Sequence, residues 1–128
     1  MKVLIDSHAL IWAVEEPKRL SVIAATTIHN RANDRIVSAA TIWEISIKSS
    51  LGKLTLSLPY KQWMDKAVAD LYLSVLPITV DYADAQARLP HHHGDPFDRL
   101  MIAQSLTDGF PIVSVDPQLD AYGIVRIW

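Results

Sequence analysis

The sequence predicts an α/β fold, a central and mostly parallel sheet of four to five strands with helices on both faces. Three observations predict it. Residues 3–5, Val-Leu-Ile, form a short apolar run that reads as a buried strand and ends on a carboxylate, Asp6. Helical spacing follows at Leu10, Ile11 and Val14. The same order returns twice: residues 35–38 lead into a helix carrying Glu44, and the apolar run 111–115 ends on Asp116. In open parallel sheets the carboxyl ends of the strands face one crevice, where ligands bind. Acids placed just past strand ends therefore converge.

Taken in order, residues 8–14 predict a short helix closed by Glu15-Glu16-Pro17, and Ser21 is a plausible N-cap for a second helix to about Asn30. Asn33-Asp34 turns the chain into the strand 35–38, and residues 39–51 are helical up to Gly52, which suits a left-handed C-cap. Residues 53–58 alternate but precede Pro59, so they read as an extended connection. An amphipathic helix follows over 60–71, with Trp63, Ala67 and Leu71 on one stripe, then a strand candidate at 73–78 and a helix over 80–89. The loop His91-His92-His93-Gly94 leads to a helix opened by Asp95-Pro96-Phe97-Asp98 and closed by Gly109. Strands at 112–115 and 124–128 complete five or six helices and four or five strands, one layered unit over residues 1–128 with no repeat or linker.

The chain's 128 residues suit one domain with a sizeable core, and half are hydrophobic while a fifth are charged, which argues against disorder. Every apolar run falls short of a bilayer span. Asp6 and His8 interrupt the N-terminus before a signal-peptide apolar region could form, so the expected location is the cytoplasm. With no cysteine, disulfides, thiol catalysis and thiolate zinc sites are excluded. A net charge of −2 gives no broad attraction for nucleic acid, though an acidic site holding a cation can still meet a phosphate.

Singly, most of the acids are accounted for by local structure. Asp6 can be an N-cap, and Asp116 before Pro117 has the same reading. Asp95 fits it best, with Pro96 at the first helical position and Asp98 at the third. Glu44 is mid-helix at the rim of an apolar face, with Lys48 four residues on as its ordinary partner. The set is harder to explain away. Asp6, Asp98 and Asp116 lie at junctions this topology brings to one edge, and Glu44 lies one to two turns into a helix starting there. Four carboxylates at one mouth repel unless cations bind between them, and hard oxygen ligands suit Mg²⁺ or Mn²⁺. Such a site supports phosphodiester hydrolysis, since the metal acidifies a water and neutralises charge on the phosphoryl oxygens.

These segments carry a resemblance. Val3-Leu4-Ile5-Asp6-Ser7-His8-Ala9-Leu10, Val37-Ser38-Ala39-Ala40-Thr41-Ile42-Trp43-Glu44-Ile45 and Leu51-Gly52-Lys53-Leu54 resemble the opening and middle of PIN-domain toxins of the VapC type. The run from Leu89 through Asp95-Pro96-Phe97-Asp98-Arg99 to Gln104 and the segment Ser114-Val115-Asp116 are similar to the later signatures of that family. The resemblance implies a three-layer α/β/α fold and a Mg²⁺- or Mn²⁺-dependent ribonuclease acting on RNA. It also implies a small antitoxin covering the acidic mouth, and homodimerisation. Asp6, Glu44, Asp98 and Asp116 match the family's four acids, as catalytic and metal-binding residues. Ser7 and Ser114 stand where threonine is common, each keeping a hydroxyl that could orient Asp6 or a water.

Among other features, adjacent histidines cannot easily share one ion, so His91–His93 reads as a polar loop, with one histidine at the mouth as the functional alternative. Arg99 reads as the partner of a nearby acid in preference to a substrate phosphate; Lys48 and Lys53 carry the same two readings. Trp12, Trp43, Trp63 and Trp128 could stack on RNA bases, but tryptophan is usually core or interface. Trp43, beside Glu44, is the one expected to face a partner. Competing classes are a phospho-receiver domain, a phosphatase with an aspartate nucleophile, and a regulatory domain whose acids are caps. The first needs paired acids after the first strand and a late lysine, yet no lysine follows Lys66. The second needs an acid where His8 stands.

Overall fold

A computed structural model describes all residues, 1–128. Five strands, β1 (Lys2–Ile5), β2 (Asp34–Ser38), β3 (Ser74–Leu76), β4 (Ile112–Val113) and β5 (Arg126–Ile127), alternate with six α-helices. These are α1 (Ser7–Glu15), α2 (Val22–His29), α3 (Ala39–Ser50), α4 (Tyr60–Asp70), α5 (Val80–Ala87) and α6 (Pro96–Asp108), with short 3₁₀ segments at Pro17–Arg19 and Pro117–Tyr122. The sheet order is β3-β2-β1-β4-β5, and every pairing is parallel. The chain builds outward from β1 on one side, then crosses back to place β4 on the other. The strand order therefore reverses between β1 and β4, where a crevice opens at the strands' carboxyl ends.

The period of two along each strand divides the interior into two layers. Val3, Ile5, Val37 and Val113 pack with Leu10, Ile45, Trp63 and Ala67 on one face. Leu4, Ile36 and Ile112 pack with Met101, Ile102, Leu119 and Tyr122 on the other. Helices cover both faces, giving three layers. No helix is long and apolar enough to cross a membrane.

The punctuation expected from the sequence is visible at the ends. Ser21 caps α2 through a hydrogen bond from the Ala24 N–H, and Gly52 and Gly109 sit at positive φ after α3 and α6. The strand expected at 73–78 is confined to Ser74–Leu76, since Pro77 has no N–H to continue the ladder. It is a short, exposed edge strand, a form that discourages unwanted pairing. The strand expected at 112–115 stops at Val113, because the Ser114 Oγ accepts the Asp116 N–H and turns the backbone away. Residues 53–58 form no strand, as expected.

Candidate metal and nucleic-acid site

Asp6 follows β1 at the point of strand reversal. Its Oδ1 accepts the Ala9 N–H at 2.8 Å as the N-cap of α1, and only 5% of the residue is exposed. Burial pushes its carboxyl above the ordinary range, against the pull of the Ser114 hydroxyl and the Ala9 amide. Capping and cleft placement are thus the same fact, since a helix start at a strand end turns the cap carboxylate toward the crevice.

Glu44 reaches the same crevice from α3 and is 3% exposed. Its Oε2 accepts from Lys48 Nζ at 2.5 Å and from Ser7 Oγ at 3.3 Å. The Lys48 pairing is the one the four-residue spacing expects. Ser7 serves Glu44 rather than Asp6, because the first residue of α1 faces α3. Ser114 is fully buried beside Asp6, and its Oγ accepts the Asp116 N–H at 3.1 Å.

Asp98 sits in the first turn of α6, its side chain 24% exposed. Asp95 is the N-cap there, its Oδ1 accepting the N–H of Phe97 at 2.9 Å and of Asp98 at 3.0 Å. Burial pushes the Asp98 carboxyl up to about 7, helped by the charges of Asp95, Glu44, Asp6 and Asp116. Asp116 caps the Pro117–Tyr122 turn through the Gln118 N–H at 2.9 Å and is about one-third exposed. Asp6, Glu44, Asp95, Asp98 and Asp116 line one cleft of about 390 Å³, together with Ser7, His8, Trp12 and Lys48.

One histidine of the run reaches this mouth. His93 Nε2 lies 3.1 Å from Asp98 Oδ2 and 3.6 Å from Asp116 Oδ2, while its Nδ1 accepts the Asp95 N–H at 3.1 Å. A ring nitrogen that accepts an amide N–H carries no proton, so the tautomer assigned from this bond places the hydrogen on Nε2, facing the carboxylates. His93 therefore turns its Nε2 edge toward the Asp98 and Asp116 carboxylates.

The sequence expectation for Arg99 needs correction. It pairs with no acid. Buried at the base of α6, its guanidinium donates to the carbonyls of Pro90 (2.9 Å), Gln86 (3.1 Å) and Leu89 (3.2 Å) and to the Tyr122 hydroxyl (3.3 Å). Five donors in a planar fork suit a converging set of carbonyls. Tyr122 Oη also accepts the N–H groups of His92 (3.1 Å) and His93 (2.8 Å), fixing the histidine loop over the acids. Tyr122 was not singled out from the sequence, and no spacing rule would have found it.

Of the four tryptophans, Trp63 is core and donates to Glu15 Oε1 at 2.7 Å. Trp43 is 61% exposed and lies edge-on to Phe97 at 5.5 Å, bordering an apolar groove with Ile78 and Leu100. Trp12 contacts Trp128 edge-to-face at 5.9 Å and lines the acidic cleft.

The donor set fits a small hard cation. All five acids offer oxygen, two are nearly buried, and the Asp98 carboxyl, raised first by burial and then by its acidic neighbours, is one whose ionised form a divalent ion would favour.

Comparison with known proteins agrees with this architecture. The chain is 30% identical over 121 residues to Ribonuclease VapC22 of Mycobacterium tuberculosis, covering 94% of this chain and 91% of that protein. Its fold matches the structure of VapBC2 from Rickettsia felis bound to a promoter DNA fragment, with a TM-score of 0.75 at 10% identity, covering 98% of this chain and 97% of the other. It also matches FitAcB from Neisseria gonorrhoeae, with a TM-score of 0.64 at 16% identity over 98% and 96% of the two chains. The PIN domain family matches residues 3–125, and the chain belongs to that family.

Proposed function

We propose that this chain is a Mg²⁺- or Mn²⁺-dependent endoribonuclease, the toxin of a toxin–antitoxin pair, working in the cytoplasm. The observation that carries the reading is the meeting of Asp6, Glu44, Asp98 and Asp116 in one cleft at the point of strand reversal. Identity to Ribonuclease VapC22 supports RNA as the substrate. The resemblance to VapC-type toxins supports an antitoxin partner over the acidic mouth and a homodimer.

A bound divalent ion supplies charge neutralisation at the phosphoryl oxygens and acidifies a water. Asp6 and Asp98 would hold the ion most directly, and Asp116 would complete the cluster through a water or a second ion. Glu44 ligates the ion or orients the attacking water; its Oε2 is engaged by Ser7 and Lys48, which leaves Oε1 for that role. Oxygen from water joins phosphorus, the P–O3′ bond breaks, and the 3′ oxygen takes a proton. The products are a 5′-phosphate and a 3′-hydroxyl.

The regulatory reading, in which the acids are only caps, has support at Asp6, Asp95 and Asp116, which do cap. It does not account for Glu44, buried mid-helix, or for the Asp98 carboxylate, which accepts no backbone N–H. Labelled RNA incubated with and without EDTA tests the proposal. Cleavage should require the metal and disappear in Asp6→Asn, whose circular dichroism spectrum should match the parent. Full activity in Asp6→Asn, or cleavage indifferent to EDTA, overturns it.

A further inference from the structure

The acidic cleft continues into a second cavity of about 270 Å³, and the two share Ser7, His8, Trp12, Glu44 and Lys48 along their common wall. The character of the wall changes along the trough. Past Glu44 the lining becomes Ile11, Ile45 and Leu54, flanked by the aromatic pair His8 and Trp12, whose rings lie 5.7 Å apart, and by Lys48 and Lys53. No acid other than Glu44 enters this arm, and Lys48 already compensates that one.

Lys53 makes no ion pair, yet its backbone is fixed. Its N–H reaches the Lys48 carbonyl at 3.0 Å, and Gly52 at φ 70° makes the preceding turn. This is the hydrogen-bonded close of a helix. An unpaired ammonium therefore stands on a rigid mount at the rim of an apolar, aromatic-walled slot. The volume lies below that of pockets for drug-sized ligands and suits one heterocyclic ring system.

We propose that this arm is a nucleobase subsite: it takes the unstacked base of the nucleotide adjoining the scissile phosphate, with Lys53 on that nucleotide's own phosphate. The inference rests on the ribonuclease reading and names the part of the substrate that this side of the site reads. Proteins that recognise single-stranded RNA pack splayed bases against aromatic and cationic groups and select among them by the fit and hydrogen bonding of the base edges. The ends of the trough match the two parts of such a ligand. Acids with a divalent ion suit the phosphodiester, and the apolar arm suits the base. His8 and Trp12 are specificity residues here.

The test is cleavage of a random-sequence single-stranded RNA pool, with sequencing of the product ends, followed by kinetics on one cleaved oligonucleotide and on versions carrying an abasic site at single positions around the cut. The wild type should show a base preference beside the cut, and removing that one base should lower kcat/KM at least tenfold, chiefly through KM. His8→Ala, on an exposed side chain, and Leu54→Trp, which fills the arm, should flatten the preference and cost about tenfold on intact RNA. Neither should cost anything further on the abasic version. Lys53→Ala should raise KM several-fold and leave the base preference in place. Cleavage with no base dependence, or equal losses on intact and abasic RNA, overturns the subsite and leaves the nuclease reading standing. Absence of metal-dependent cleavage overturns both.

Discussion

The Lys48 ammonium and the Glu44 carboxylate are 2.5 Å apart, one turn of α3 from each other, with the lysine about one-third exposed and the glutamate 4% exposed at its side chain. Burial acts to lower the Lys48 pKa, but the Glu44 bond and the charges of Glu44, Asp95 and Asp98 outweigh it and leave the value raised. Lys48 is thus the counter-charge on which the metal-free cleft depends. Lys48→Met should destabilise the metal-free protein by about 1–3 kcal/mol, less than a fully buried pair because of its exposure. Saturating Mn²⁺ should recover most of that loss in urea unfolding. An unchanged midpoint would show that the pair contributes nothing.

A second expectation concerns pH. Folded Asp98 keeps its proton up to about 7, whereas the unfolded carboxyl releases it near its ordinary value of 3.8. Between these values the folded state binds more protons than the unfolded one, so stability falls as pH rises through this window and levels off above it. Buried Asp6 acts in the same direction. The metal-free Tm should therefore decline from pH 4.5 to 7.5, and added Mg²⁺ should raise it more at pH 7.5 than at pH 5. Calorimetry at both values checks this.

Asp98→Asn removes a charge that its neighbours oppose. It should raise the Tm of the metal-free protein at pH 7.5 and flatten the pH dependence, while abolishing RNA cleavage. Stability gained as activity is lost is the usual signature of a functional site under electrostatic strain. A lower Tm in Asp98→Asn would contradict the repulsion described.

His93 Nε2 faces Asp98 and Asp116, and the Asp95 amide holds the ring by its other nitrogen. Groups that orient ligating carboxylates commonly contribute about 10–100-fold to metal affinity. His93→Ala should weaken Mn²⁺ binding by about tenfold in titration calorimetry. His93→Gln, which can still donate, should recover part of it.

Arg99→Ala would leave the carbonyls of Gln86, Leu89 and Pro90 without their shared donor and free the loop that carries His93. Loss of a buried charged donor serving several carbonyls should cost about 2–4 kcal/mol. Arg99→Lys should recover little, since one compact ammonium cannot reproduce the planar fork that meets three carbonyls at once. Hydrogen exchange should rise first over residues 89–95.

How far the sequence could be read depended on the range of each interaction. Asp6, Asp98 and Asp116 sit at junctions whose local chemistry, cap residues followed by proline or by helical spacing, marks strand ends in the letters themselves. The meeting of these acids followed from parallel topology, and the Glu44–Lys48 pair followed from helical spacing. Arg99 was misread because its partners are backbone carbonyls, which leave no trace in residue identity. Tyr122 escaped for the same reason, as it accepts main-chain N–H groups from a loop distant in sequence. His93 was visible only as one of three equivalent letters until its two nitrogens had partners.

The position of β1 between β2 and β4 has a consequence for synthesis. Leu4 and Ile5 find their β4 partners in Ile112 and Val113, far along the sequence, and Asp6 itself bonds Val113 through its amide. A nascent chain still lacking its final segment has neither the fourth acid nor the strand that closes the crevice around the first. Any fragment that stops short of β4 therefore leaves one side of β1 unpaired and the crevice unformed, so the acids meet only after the longest-range pairing of the sheet is made.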